Sequence, residues 1–134
     1  DHRPGADLAD RMQDLVDAGE RERAVELFFQ DGSGVESVEE LPVAEAAQIV
    51  ETIVRENREV ERYRVPDDLS LPVPTLLLTG EHGPEHLRDG VRTLRDTLSD
   101  SWLVELDGVG HVGIFSDPEQ VASEVRAFAG ASSD

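Results

Sequence analysis

Two short apolar segments in the second half of the chain limit its fold more than any other feature. Residues 74–79 (PTLLLT) form the kind of run that is typical of a strand buried on both faces of a parallel sheet. Residues 101–106 (SWLVEL) form a second strand-like segment, and residues 84–98 between them have apolar side chains at helical spacing. A strand, a helix and a strand predict a right-handed βαβ crossover in a parallel sheet. The fold class is therefore expected to be α/β.

This predicted sheet is too small to be complete. Two parallel strands cannot bury both of their faces by themselves, so we expect further strands outside these residues. The loop after the second strand leads to Pro118, which suits the first position of a last helix. Residues 71–134 are thus predicted to form a βαβα unit of an incomplete sheet.

The first half of the chain is predicted to be helical. Residues 7–18 and 20–30 show apolar residues at helical spacing on either side of Gly19, and residues 42–58 show a longer apolar stripe. Residues 31–37 (DGSGVES) are typical of a loop. We therefore expect a helical region over residues 1–70, followed by the α/β region over residues 71–134.

The net charge of −18 excludes two classes of partner. Thirty acidic residues face twelve basic ones, and a surface of this sign repels nucleic acid and anionic membranes. No apolar run approaches the roughly 18 residues that a membrane span needs, and the first ten residues do not resemble a signal peptide. The chain has no cysteine, which excludes disulfides and thiolate metal sites. We expect a cytoplasmic protein.

The acidic residues are spread along the chain, and every basic residue is an arginine. This pattern resembles proteins of salt-loving microbes, in which high salt screens the repulsion between like charges. An acidic protein from a GC-rich genome is the alternative. The composition leaves both interpretations open.

His111 is the main candidate for chemistry. It follows the second predicted strand, at the sheet edge where open α/β folds bind their ligands, and Gly108 and Gly110 allow the backbone to turn sharply before it. A histidine there can accept and then return a proton near neutral pH. It can equally be a loop histidine that caps the next segment, and the residues alone leave both roles open.

Two motifs, PVPTLLLTGEH (72–82) and SDSWLVELDGVGHVGIFSDPEQVASEVRAF (99–128), resemble the C-terminal end of the α/β-hydrolase family. The resemblance implies the last two strands, the loop that presents the histidine of the catalytic triad, and the closing helix. It also implies that the helices before residue 71 are the cap over the active site. Residues 17–31 together with the PVPTLLLTGEH turn resemble a subgroup of small cap-bearing hydrolases, which implies an apolar substrate.

By this resemblance, His111 matches the triad histidine, whereas the triad acid has two possible origins. Many members of the family place Asp three residues after the glycine that ends the first of these strands, but Gly83 occupies that position here. Glu81 is then the only local carboxylate on the turn, and it is the candidate acid if it can reach the imidazole. Other members, including haloalkane dehalogenases, take the acid from a strand before the cap, which these residues do not include.

No candidate nucleophile is present in these residues. Ser33 lies between Gly32 and Gly34, but a nucleophile elbow needs glycines two residues away on each side, where this chain has Asp31 and Val35. A helix rather than a buried strand precedes Ser33, so we interpret it as a loop serine. The resemblance therefore implies part of a hydrolase, which we expect to be inactive by itself.

The segment EHGPEH (81–86) superficially suggests a metal site. Gly83 and Pro84 separate its two histidines, so they do not share a helical face as the ligands of a zinc helix do, and His86 is expected to face solvent. We expect no metal and no cofactor. Trp102 and Phe115 are interpreted as core or pocket-wall residues.

Two functions follow from these observations. The first is the C-terminal part of a hydrolase that acts on a small apolar ester-like substrate and contains the triad histidine. The second is a non-catalytic, degenerate hydrolase fold that binds a ligand or partner, and a split enzyme lies between the two. The expected partners are a small-molecule substrate and either a second copy of the chain or a complementing N-terminal half, because an open sheet edge favours pairing.

Overall fold

A computed structural model describes residues 7–131. The chain divides between Arg64 and Val65 into two compact units, a helical unit and a unit that contains a small parallel sheet. The mixture of helices with parallel strands is compatible with the predicted α/β class.

Over its described residues, 7–64, the helical unit consists of four helices and one π-helical turn. These elements are α1 (Leu8–Asp17), α2 (Arg21–Leu27), the π-helical turn (Phe28–Gly32), α3 (Val43–Ala47) and α4 (Val50–Arg62). Gly19, with a φ of 79°, supplies the left-handed conformation that ends α1 and reverses the chain. The apolar faces of the helices enclose a core in which five large side chains are fully buried: Leu8, Met12, Val25, Val50 and Val54.

The single helix predicted over residues 42–58 is wrong. The segment is divided into α3 and α4, and α4 continues to Arg62. Arg21 stabilises the break, because its Nε donates to the carbonyl of Ala47 at 3.0 Å and its second terminal nitrogen donates to the carbonyl of Gln48 at 3.4 Å. Carbonyls at the end of a helix need such external donors.

The sheet unit has the predicted order of elements and one additional short helix. Its elements are β1 (Thr75–Gly80), α5 (Glu85–Thr97), β2 (Ser101–Leu106), α6 (Gly113–Ser116) and α7 (Pro118–Ala131). The two strands pair in parallel over their full length, from Thr75 opposite Ser101 to Gly80 opposite Leu106. The turn α6 lies where only a loop was expected.

Helices α5 and α7 lie on opposite faces of this sheet. Arg88 of α5 donates to the carboxylate of Glu105 at 3.0 Å, whereas the ring of Trp102 packs edge-on against Phe128 of α7 at 5.7 Å between centroids. Glu105 and Trp102 are three residues apart on β2, and side chains alternate between the faces of a strand. The unit therefore has three layers, helix on sheet on helix.

The sheet is only partly covered by these helices. The leucines of β1, expected to be buried on both faces, are only half-buried, and Trp102 keeps 51% of its surface exposed. The buried apolar side chains in the described part of this unit are Leu98, Leu106 and Val109. Two of these three, Leu106 and Val109, lie where the carboxyl end of β2 meets the loop that carries His111.

Candidate functional site

The candidate site lies at the carboxyl ends of β1 and β2, where the turn after β1 meets the loop after β2. The amide of Glu81 donates to the carbonyl of Leu106 at 3.0 Å, which extends the strand pairing by one step. The amide of His82 then donates to the carbonyl of Val109 at 2.9 Å. Backbone hydrogen bonds therefore join the loop of His111 to the turn of Glu81.

Gly80 permits the close packing of these two segments. A Cβ atom at this position would lie 2.2 Å from the carbonyl oxygen of Gly110 and 2.6 Å from that of Val109. Real Cβ atoms do not approach backbone that closely, so a side chain here would displace the loop. Gly80 is a requirement of the site that the sequence analysis did not recognise.

His111 is exposed at this edge. Within residues 7–131, no carboxylate lies within ion-pair distance of its ring. The structure therefore presents an accessible imidazole, as a proton-transfer role needs, and the described residues do not supply an acid that orients it.

Glu81 contacts the loop rather than His111. Its Oε2 accepts a hydrogen bond from the amide of Gly108 at 2.8 Å and lies 3.7 Å from Nε2 of His82. The two candidate catalytic residues are thus on adjoining segments of one site, but no hydrogen bond or ion pair joins their side chains.

Gln120 is a site residue that the sequence analysis missed. Its amide group bonds both backbone groups of Asp107: Oε1 accepts from the Asp107 amide at 2.8 Å, and Nε2 donates to the Asp107 carbonyl at 3.1 Å. Asp117 caps α7 by accepting from the Gln120 amide at 3.1 Å. The segment DPEQ (117–120) indicates such a capped helix start, with Gln120 at the third helical position. It does not indicate that the Gln120 side chain bonds the backbone of Asp107, which is distant in sequence.

His86 differs from its prediction, because it is half-buried rather than directed to solvent. Burial lowers the pKa of His86, and the nearby charge of His111 lowers it further. The sequence signal that could have predicted this burial is Pro84, which directly precedes α5 and brings the first turn of that helix to the sheet edge.

Apolar side chains near His111 remain exposed. Phe115 is 84% exposed and Ile114 61%, both on α6, which begins two residues after His111. Neither Phe115 nor Trp102 is a core residue of the sheet unit, so the core interpretation of these two residues is wrong. A pocket-wall role would need a further surface opposite them.

The remaining candidate residues stay apart from the site. Ser33 directly follows the π-helical turn, in a loop of the helical unit, as interpreted from the sequence. Residues 7–131 contain no group of three or more His, Asp or Glu side chains arranged to hold a metal ion. Over the same residues, no helix combines the length and apolar character required to cross a bilayer.

Comparisons with protein-family models, with curated proteins and with solved structures find no match to this chain. The functional interpretation therefore depends on the site's geometry and on the resemblance of its motifs.

Proposed function

We propose that this chain is the C-terminal part of an α/β-fold hydrolase that acts on a small apolar ester-like substrate, with His111 as the triad histidine. One observation carries the proposal: the His111 loop packs across the carboxyl ends of two parallel strands and leaves the imidazole exposed. This is the edge where α/β folds place their reacting groups.

The proposed chemistry assigns one proton-transfer role to His111. A nucleophile outside these residues attacks the ester carbonyl, and His111 takes up the proton that the nucleophile loses. His111 then protonates the leaving alcohol, and in the second half of the reaction it activates water in the same way. The exposed ring next to the strand ends supports this role, because the imidazole must reach groups that come from another part of the sheet.

The geometry favours the layout in which the triad acid also lies outside these residues. The Glu81 carboxylate is engaged by the backbone of Gly108, and His111 is left without a carboxylate partner in the described chain. An acid from another strand would then orient the imidazole. Three further parts of the proposal rest on the sequence and the family resemblance. These are that the helical unit is the cap, that the substrate is apolar and that the protein is cytoplasmic.

Ester hydrolysis tests the proposal. A panel of p-nitrophenyl esters is assayed at high salt with this chain and with a longer gene product that includes the residues encoded upstream, each as wild type and as His111→Ala. His82→Ala is the matched control, because His82 is the neighbouring exposed histidine. We expect activity in the longer product only, its loss in His111→Ala, and near wild-type rates in His82→Ala.

A non-catalytic binding module is the second candidate, and it is favoured by the outer edges of the two-stranded sheet, with which no further strand pairs among residues 7–131. Each outer edge offers backbone donors and acceptors to a strand from another chain. This candidate predicts no hydrolysis by either product. Activity of the short chain that depends on His111 would contradict both candidates, because it would require a nucleophile within these residues.

A further inference from the structure

We infer that Glu81 and Gln120 are positioning residues, which hold the Asp107–Gly108 turn from its two sides and thereby fix the position of His111. Glu81 is then not the triad acid. The inference rests on the proposed function for the part that concerns catalysis. The holding of the turn stands on geometry alone and is tested separately.

Gln120 holds the turn from the side of α7. Its carboxamide forms two hydrogen bonds with Asp107, one to the amide at 2.8 Å and one to the carbonyl at 3.1 Å, in the manner of a neighbouring strand. Nε2 also donates to Oδ2 of Asp117 at 3.1 Å, which fixes the orientation of the carboxamide group. The side chain therefore satisfies both backbone hydrogen-bonding groups of the residue that directly follows β2.

Glu81 holds Gly108, the residue after Asp107, from the side of β1. Gly108 has a φ of 69°, and its amide donates to Oε2 of Glu81 at 2.8 Å. A left-handed residue at a turn re-aims the chain that follows it, and His111 comes three residues later. Successive backbone amides, at Asp107 and Gly108, are thus bound by side chains from two different segments, the helix α7 and the turn after β1.

This arrangement separates the two roles that Glu81 could have. A triad acid must be an anion hydrogen-bonded to the imidazole, because it compensates the positive charge that forms there. An acceptor for the Gly108 amide needs only an oxygen, which a glutamine also supplies. Glu81→Gln therefore distinguishes a positioning residue from a triad acid, whereas Glu81→Ala removes either role.

The first test is amide hydrogen exchange of this 134-residue chain, measured by NMR. We expect Glu81→Ala to accelerate exchange at Gly108 and Gln120→Ala to accelerate it at Asp107, each by about tenfold, as the loss of one hydrogen bond permits. Glu81→Gln keeps Gly108 near the wild-type rate. The control is Glu119→Ala, an exposed neighbour in the first turn of α7, which leaves both amides unchanged. Unchanged exchange at Gly108 in Glu81→Ala would overturn the inference.

The second test is the kinetics of the longer gene product with the same variants. We expect Glu81→Ala and Gln120→Ala to lower kcat about tenfold at constant KM, and Glu81→Gln to retain most of the activity. A loss on the order of 10⁴-fold in Glu81→Gln would identify Glu81 as the triad acid and overturn the inference. If the wild-type product hydrolyses no ester, the proposed function fails, and the exchange rates still decide whether the two side chains hold the turn.

Discussion

The helical unit and the sheet unit bury their apolar side chains to different degrees. The helical unit buries Met12, Val25 and Val50 completely in a core enclosed by its own helices. In the sheet unit the leucines of β1 are half-buried, and Trp102 exposes half of its surface. The helical unit therefore covers its own apolar side chains, whereas the helices of the sheet unit cover its strands only in part.

The two units also differ in how many of their backbone donors are paired within the unit. In the parallel ladder the amides of Thr75 and Glu81 point toward β2, where they donate to the carbonyls of Asp100 and Leu106. Alternate residues of a strand point the opposite way, so the amides of Leu76 and Leu78 face the outer edge of β1. An α-helix leaves no such row of donors. These edges support the proposal that strands beyond the described residues complete the sheet.

The largest expected effect is the loss of a core side chain from the helical unit. Met12→Ala should lower the free energy of unfolding by about 2–5 kcal/mol, because the side chain is fully buried and its removal leaves a cavity. Leu77→Ala in the half-buried strand should cost about half as much. Urea unfolding of both variants at one salt concentration measures the two effects, and equal losses would contradict the contrast between the units.

A methyl group at Gly80 should damage the sheet unit at its site. Gly80→Ala places a Cβ against the carbonyls of Gly110 and Val109, and we expect a loss of about 1–3 kcal/mol with a shift of the His111 loop. Gly90→Ala is the matched control, because a Cβ on this helical glycine would point into open space and should stabilise α5 by about 0.5–1 kcal/mol. Thermal unfolding and the amide spectrum of residues 108–111 measure both changes. A neutral Gly80→Ala would contradict the packing described here.

The ion pair of the helical unit gives a pH-dependent prediction. Hydrogen bonds from Arg21 hold the pKa of Glu51 down to about 2, from its ordinary value of 4.5. Since the folded pKa lies below the unfolded one, the pair's contribution to stability is present above pH 4.5 and is lost as the pH falls toward 2. In an NMR titration, the pKa of the Glu51 carboxyl should rise toward its ordinary value in Arg21→Ala, because Arg21 is the largest cause of the shift, and should stay low in Arg62→Ala, whose pair is with Glu59. An unchanged titration in Arg21→Ala would show that this pair is absent in solution.

The smallest expected effect concerns the two neighbouring histidines of the sheet unit. Burial and then the charge of His111 lower the pKa of His86, so the unfolded chain takes up this proton first and stability declines as the pH falls below the ordinary value of 6.5. His111→Ala should raise the pKa of His86 only in part, because burial is the larger cause. Imidazole NMR titration measures the change. A pKa of His86 that stays constant in His111→Ala would place the two rings farther apart.

The parts of the fold that local pattern determines were predictable. The second strand has the predicted bounds, 101–106, and the last helix starts at Pro118, because β-forming residues and a fixed φ decide those positions locally. The break at residues 48–49 depends on Arg21, which is distant in sequence, and a helical stripe does not show it. The bonds of Gln120 and Glu81 to the turn were missed for the same reason: side chains reach backbone that only the folded chain brings near.

Amide hydrogen exchange at the outer edge of β1 shows whether further strands complete the sheet beside His111. Sequential strands are usually neighbours in a sheet, so a preceding strand should pair with this edge. The proposal predicts fast exchange at Leu76 and Leu78 in the 134-residue chain and slow exchange in the longer gene product. Fast exchange at both residues in both products would contradict it, because no strand would then complete the sheet beside His111.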